Sequence, residues 1–127
     1  KGAHGTTFGG NPVACMAALE TIALLQEELM DNAATMGSYL LDRLKDLHDE
    51  HPALIDVRGV GLMIGLEFQT AEQAHAVVKA CFHKGLILLG CGDKAVRLSP
   101  PLVVGREEAD AALEILETAI YEVAYDG

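Results

Sequence analysis

The feature that most constrains this chain is a helix pattern over residues 12–27 that is apolar on almost every side. Apolar residues, chiefly Ala and Leu, fill 12 of its 16 positions, so little polar surface is left to face solvent. A helix of this kind is buried against other protein on most sides. In a small free-standing domain it would be an aggregation liability, so the pattern predicts that a larger body of protein packs on it.

The segment directly before this helix has the composition of an anion-binding turn. Residues 5–12 read GTTFGGNP. Glycines let a backbone approach a ligand closely, and threonine hydroxyls can donate to phosphate oxygens. Asn11 suits the N-cap and Pro12 the first helical position, where free N–H groups and the helix dipole favour an anion. The spacing alone also fits a capped turn without a ligand.

Bulk composition excludes several classes of protein. A length of 127 residues is enough for one domain with a real core. The net charge of −10 disfavours nucleic acid and anionic membrane as partners. No apolar run reaches the roughly 18 residues of a membrane span. Cys15, Cys81 and Cys91 are widely spaced and form no CxxC pair, which predicts reduced thiols of a cytoplasmic protein rather than a metal site.

The rest of the chain predicts helices that alternate with short strands. Besides the helix over 12–27, three helices are expected at 30–50, 71–84 and 106–123, where apolar residues recur at three- and four-residue steps. Alternating or apolar runs mark the four expected strands, 55–57, 62–68, 86–89 and 95–98. A turn over 90–93 joins the last two strands. This order predicts a two-layer α+β fold, a small sheet with helices on one face.

Three segments, in the same order, resemble motifs of the class III aminotransferases of the ornithine, acetylornithine and 4-aminobutyrate type. They are HGTTFGGNPVAC at 4–15, VRGVGLM at 57–63 and VRLSPPL at 96–102. The resemblance implies pyridoxal 5'-phosphate as cofactor. It also implies the small carboxy-terminal domain of the aspartate-aminotransferase-like fold for residues 30–127. Residues 1–29 would then be the end of the large cofactor-binding domain, with the phosphate-contact loop and an interdomain helix.

The family's enzymes are several times longer than this chain. In them, the lysine that forms the Schiff base lies upstream of the threonine motif. Lys1 stands too close to that motif to be this lysine. We therefore expect the chain to be the carboxy-terminal part of a transaminase, and to be inactive by itself.

The resemblance implies roles for three side chains. Thr7 matches the threonine that reaches the cofactor phosphate, in the family across a dimer interface, and Thr6 matches a hydroxyl close to phosphate or substrate. Arg97 matches an arginine that binds a substrate carboxylate through its planar fork. In enzymes for ω-amino acids that arginine can instead pair with an upstream glutamate. From the residues alone, turn hydroxyls and a solvent-facing strand arginine remain open alternatives.

Other polar residues predict structural or solvated roles. We expect Arg58 to form a structural salt bridge or to lie at an exposed strand end. Gly59 and Gly61 predict a bend or bulge. The histidines on helix faces and ends are expected to be solvated: His48, His51, His75 and His83.

The implied reaction moves an amino group from an ω-amino acid such as 4-aminobutyrate to 2-oxoglutarate. The Thr-Thr-Phe wording at residues 6–8 favours this substrate. The alternatives are an acetylornithine or ornithine aminotransferase and an amino-acid racemase of the same family. A different class is a non-catalytic binding or dimerisation module, which the apolar helix argues against. The expected partners are an amino donor, a keto acid and, in the full-length protein, a second subunit of a homodimer.

Overall fold

The computed structural model describes residues 4–125 as an α+β fold, which confirms the fold class predicted from the sequence. The helices in this part of the chain are α1 (Pro12–Leu24), α2 (Met30–Glu50), α3 (Ala71–His83) and α4 (Arg106–Tyr125). A π-helical turn, Leu25–Leu29, joins α1 to α2. The strands are β1 (Leu54–Val60), β2 (Met63–Phe68), β3 (Leu89–Cys91) and β4 (Ala95–Leu98).

The four strands form one antiparallel sheet in the order β1-β2-β4-β3. β1 and β2 make a hairpin whose loop begins at Gly61, with φ of 55°, where a two-residue hairpin turn needs a positive φ. β2 and β3 are both antiparallel to β4, so they run parallel to each other. Parallel strands need a crossover connection, and α3 supplies it.

The core lies between one face of the sheet and the helices. α2 and α3 pack on the strands, and α4 packs across α2 and α3. The strand side chains that enter this core alternate along β2 and β4; they are Ile64, Leu66, Phe68, Val96 and Leu98. Leu44 of α2 and Leu116 of α4 are fully buried against them. Each such side chain contributes about 1.5–3 kcal/mol to folding.

Helix α1 stands outside this core. None of its residues is buried, and Val13, Met16 and Leu19 are 80%, 66% and 60% exposed. An apolar helix this exposed leaves a large hydrophobic surface uncovered. Nevertheless, no helix within residues 4–125 is long and apolar enough to cross a membrane.

The first two predicted helices are joined differently from the expectation. The predicted break at residues 28–29 is not a loop, because the π-helical turn continues the backbone hydrogen bonding from α1 into α2. A π turn accommodates one extra residue without breaking a helix. α1, which is apolar on all sides, and α2, which is apolar on one side, are therefore parts of one continuous helix in two different environments.

The strand predicted at 86–89 is wrong in position. The backbone N–H of Leu86 donates to the carbonyl of Cys81 and so closes the end of α3. Leu88 then turns into the core, and only Leu89–Cys91 pairs with β4. Because this run is apolar throughout, its pattern could not distinguish a strand from a buried connection.

His51 is buried, which contradicts the prediction that it is solvated. It follows the last residue of α2, and its ring lies edge-on to the ring of Tyr121, with the centroids 6.3 Å apart. α4 covers this position, a tertiary contact that the charged neighbours of His51 in sequence do not indicate.

Helix α2 approaches the β1–β2 turn at a pair of glycines. A Cβ built on Gly37 would lie 2.3 Å from the carbonyl oxygen of Gly61. No side chain fits at that distance, so glycine at position 37 lets α2 pack directly on the hairpin. The prediction that Gly61 serves a bend is confirmed by its positive φ.

The core also encloses one thiol. Cys81 on α3 is fully buried, whereas Cys15 and Cys91 are exposed, and all three are free. Burial removes water from the Cys81 sulfur and raises its pKa to about 11, because the thiolate is disfavoured in an apolar environment. The folded state thus keeps a proton that the unfolded chain loses near pH 9.

We predict that a thiol reagent at pH 8 modifies Cys15 and Cys91 quickly and Cys81 only after unfolding. Because the pKa of Cys81 is higher in the folded state, the stability that its thiol contributes is present below about pH 9 and falls as the pH rises towards 11. Counting labelled thiols by mass, with and without denaturant, checks this. Rapid labelling of all three thiols in the folded chain would contradict it.

Candidate functional site

One face of the sheet carries no helix in the part of the chain that the structure describes. We call it the open sheet face. The strand register and the alternation of buried positions assign to it the residues that point away from the core: Asp56, Arg58, Val60, Met63, Gly65, Glu67, Leu89, Cys91, Ala95 and Arg97. The exposed apolar side chains of Val60 and Met63 lie at the β1–β2 hairpin end of this face, and that of Leu89 lies on the edge strand beside Arg97.

Arg97 lies on this face. Its neighbours in β4, Val96 and Leu98, are buried, so alternation turns Arg97 outward, where it is exposed. It pairs in register with Gly65 of β2 and Leu89 of β3. No hydrogen bond or ion pair of its guanidinium is found within residues 4–125. An exposed guanidinium without an acidic partner is available to an external carboxylate.

The chain that follows Arg97 is anchored to α2. The side-chain amide of Asn32 donates to the carbonyl of Leu102 at 2.6 Å and to that of Val104 at 3.2 Å. These bonds hold the segment with Pro100 and Pro101 against the helix. Arg97 therefore projects from a strand that is paired on both sides and fixed at its end, which suits a binding residue.

A second cation on the open sheet face, Arg58, is paired with two acids. Its guanidinium donates to Glu67, with Nη1 2.9 Å from Oε2, and also to Asp56. Lys94 holds the other oxygen of Glu67, at 3.1 Å from Nζ to Oε1. Lys94 and then Arg58 lower the pKa of Glu67, and Asp56 and Glu67 raise the pKa of Arg58. The predicted salt bridge of Arg58 is confirmed.

We call Asp56, Arg58, Glu67 and Lys94 the ion-pair network. Its two acids and two bases neutralise each other, so Arg97 is the cation on the open sheet face that retains its charge uncompensated among the described residues. The sequence alone does not predict this network. Alternation in β2 turns Glu67 outward, but its partners depend on strand register, which the sequence leaves open.

The loop over residues 4–11 is a capped turn, as the sequence predicts. The Asn11 side chain accepts from the N–H of Ala14 at 3.0 Å and donates to the carbonyl of Phe8 at 2.8 Å, and Pro12 takes the first helical position. Gly10 has a φ of 78°, which glycine adopts without strain. Thr6 and Thr7 are both exposed on this loop.

The loop would bind an anion mainly through its hydroxyls. The Thr6 oxygen accepts from the N–H of Phe8 at 3.3 Å, which leaves its O–H able to donate, and the Thr7 hydroxyl makes no hydrogen bond within the described residues. At the helix start, Pro12 has no N–H and Asn11 occupies that of Ala14. Only the N–H of Val13 remains unpaired in the first turn. The helix start therefore offers an anion fewer N–H donors than the sequence suggests.

The structure does not bring the threonines and Arg97 together. α1 contains 13 residues, about 20 Å of helix, and its contacts are with the π-helical turn rather than with the sheet. The loop lies at the far end of that helix. Within this chain, Thr6 and Thr7 therefore cannot act on the same bound molecule as Arg97 without a larger assembly.

One cluster of potential metal ligands lies on the helical side of the fold. Ligand atoms of Glu50, His51 and Glu117 all come within 4.8 Å of one another, where the end of α2 meets α4. Both carboxylates are exposed, and exposed acids are normally solvated. The cluster is remote from the open sheet face, and we assign it no role.

Comparison with known proteins gives a consistent result over nearly the whole chain. The family model described as Aminotransferase class-III matches residues 1–120. An acetylornithine aminotransferase of Methanothermobacter thermautotrophicus is 44% identical over 123 residues, which cover 96% of this chain and 31% of that protein. An ornithine aminotransferase of Exiguobacterium sp. is 39% identical over 124 residues, which cover 97% of this chain and 30% of that protein.

A solved structure agrees with these relatives. An aminotransferase of Bacillus anthracis superposes with a TM-score of 0.86 at 37% sequence identity, and covers 94% of this chain and 30% of its own. The chain thus spans slightly under a third of the length of the relatives that it matches.

Proposed function

The chain belongs to the class III aminotransferase family, and we propose that the protein containing it transfers an amino group from acetylornithine or ornithine to a keto acid. The family depends on pyridoxal phosphate, which supplies the electron sink for amino transfer when it is bound. The observation that carries the proposal for this chain is Arg97, a rigidly held cation without an acidic partner among the described residues.

We base the proposed amino donor on the two relatives described above rather than on the Thr-Thr-Phe motif. That motif favours 4-aminobutyrate, but the two relatives are named for acetylornithine and ornithine. Acetylornithine or ornithine, the alternative substrates, are therefore better supported than 4-aminobutyrate. A racemase has less support, since the names of these relatives describe aminotransferases.

We assign to Arg97 the binding of a substrate carboxylate. Its planar fork can donate two parallel hydrogen bonds to a carboxylate, which fixes orientation as well as affinity. A keto acid such as 2-oxoglutarate and an amino acid donor both present this group. Gly65 lies beside Arg97 on the neighbouring strand, and because it has no side chain it leaves room there for a ligand.

We assign to Thr7, and to Thr6 beside it, contact with the cofactor phosphate. The fit is chemical: both hydroxyls are exposed and can donate, and the N–H of Val13 in the first turn of α1 has no capping partner. Phosphate oxygens accept such donors strongly. Because α1 separates the loop from the body of the fold that carries Arg97, the loop would serve the active site of another subunit, which supports a homodimer.

The domain division at residues 29 and 30 is part of the same proposal. Residues 30–127 contain the core, whereas α1 exposes apolar side chains that the large domain would cover. The π-helical turn lies at this boundary. We propose the cytoplasm as its compartment, because the cysteines are free, and small molecules rather than nucleic acid or membrane as ligands, because the chain carries a charge of −10.

The amino donor can be tested directly with the full-length protein and 2-oxoglutarate. We expect kcat/KM for acetylornithine or ornithine to exceed that for 4-aminobutyrate by at least about tenfold, the factor that 1.4 kcal/mol of transition-state binding supplies. A higher kcat/KM for 4-aminobutyrate would instead support the substrate that the sequence motif favours. Racemisation of the donor without amino transfer would favour the racemase.

Arg97→Gln in the full-length protein should raise the KM for 2-oxoglutarate about tenfold or more, because charge-assisted hydrogen bonds of about 1.5–3 kcal/mol are lost. Arg43→Gln is the matched control, since it removes an exposed arginine of α2 that lies away from the open sheet face. Steady-state kinetics check both variants. An unchanged KM in Arg97→Gln would remove Arg97 from the site.

Thr7→Ala should weaken cofactor binding by about tenfold, the scale of one hydrogen bond to a charged group. Thr118→Ala is the control, because its hydroxyl donates to the carbonyl of Glu114 on α4 and faces no proposed site. Titration of the apoprotein with pyridoxal phosphate, followed by absorbance, gives both dissociation constants. Equal affinities in Thr7→Ala and the unmodified protein would exclude the phosphate contact.

A further inference from the structure

Glu67 is the acid that the strand register brings closest to Arg97. Glu67 pairs with Ala95, and Arg97 lies two residues further along β4 on the same face. Such diagonal neighbours are about 7–8 Å apart at the backbone, within reach of two long side chains. A glutamate and an arginine in this relation ordinarily attract each other.

Nothing steric separates the two side chains. The other two corners of this square on the open sheet face are Gly65 and Ala95, which have the smallest side chains. A Cβ built on Gly65 would meet nothing closer than 3.9 Å. Neither of these two residues places a bulky side chain between Glu67 and Arg97.

Electrostatic competition keeps them apart. One oxygen of Glu67 is held by Arg58 at 2.9 Å and the other by Lys94 at 3.1 Å, so both oxygens already face a cation. Lys94 and then Arg58 lower the pKa of Glu67, so its carboxylate stays ionised to a lower pH than that of a free glutamate. Arg58 is in turn fixed by Asp56.

We infer that Arg58 and Lys94 are positioning residues for substrate binding: by occupying both oxygens of Glu67, they leave Arg97 unpaired for the substrate carboxylate. This inference depends on the proposed role of Arg97. Without the two cations, Glu67 would turn to Arg97 and compete with the keto acid for the same guanidinium. The ion-pair network thus sets affinity for a carboxylate that none of its members contacts.

A purely structural role for the network makes a different prediction. If Arg58 and Lys94 only stabilised the sheet, their loss would act on folding, and removing the charge of Glu67 would not reverse it. If they acted by their own positive charge on the substrate, neutralising Glu67 would not reverse it either. The identity of residue 67 therefore separates these roles.

The experiment uses the full-length enzyme with 2-oxoglutarate as the varied substrate. We expect the double variant Arg58→Gln/Lys94→Gln to raise the KM roughly two- to fivefold, the scale of an exposed ion pair, with little change in kcat. The same two substitutions in a Glu67→Gln background should leave the KM at the value of the unmodified enzyme. Lys84→Gln is the control, because it breaks an ion pair with Glu122 on the helical side.

Lys94→Gln alone is the milder variant, since it removes one surface contact and spares the fold. It should give a smaller rise of the KM that Glu67→Gln also reverses. An unchanged KM in both the double and the single variant, or a rise that persists in the Glu67→Gln background, overturns the inference. An unchanged KM in Arg97→Gln would contradict the proposed carboxylate binding by Arg97. If Arg97→Gln raises the KM but the Arg58 and Lys94 variants do not, only the positioning role of Arg58 and Lys94 is contradicted.

Discussion

The burial of one face of a small antiparallel sheet is the constraint on which the rest of this structure depends. Alternate residues of β2 and β4 enter the core against α2, α3 and α4. Since strand side chains alternate strictly, the residues between them must point the other way. Arg97, Gly65 and Glu67 occupy the open sheet face for this reason, and a register slip of one residue would bury all three.

Charge on that face is arranged so that one guanidinium keeps its full attraction for an anion. The protein as a whole is strongly acidic, so an arginine has many potential partners. The ion-pair network takes the two acids on the face and pairs them with two cations. If Arg97 binds a substrate carboxylate as proposed, its affinity for that group depends on which neighbouring charges are already paired as well as on which residues touch the ligand.

Much of the fold could be predicted from the sequence because its signals are local. The capped start of α1, the three- and four-residue periodicity of α4 and the outward direction of Arg97 follow from short patterns. The burial of His51, the position of β3 and the partners of Glu67 depend on contacts between distant segments, which local patterns do not specify. The separation of the threonine loop from Arg97 belongs to this second kind, because it depends on how far α1 departs from the core.

The π-helical turn sets the angular phase between the two ends of this chain. Each α-helical residue advances the chain by about 100° around the helix axis, so one extra residue in Leu25–Leu29 determines which way α1 and its loop point relative to the sheet. The continuous helix from Pro12 to Glu50 thus fixes the rotation of α1 about the helix axis relative to α2. Insertions in surface loops elsewhere would leave that rotation unchanged. A single residue gained or lost in the π-helical turn would instead rotate α1 and point Thr6 and Thr7 in a different direction.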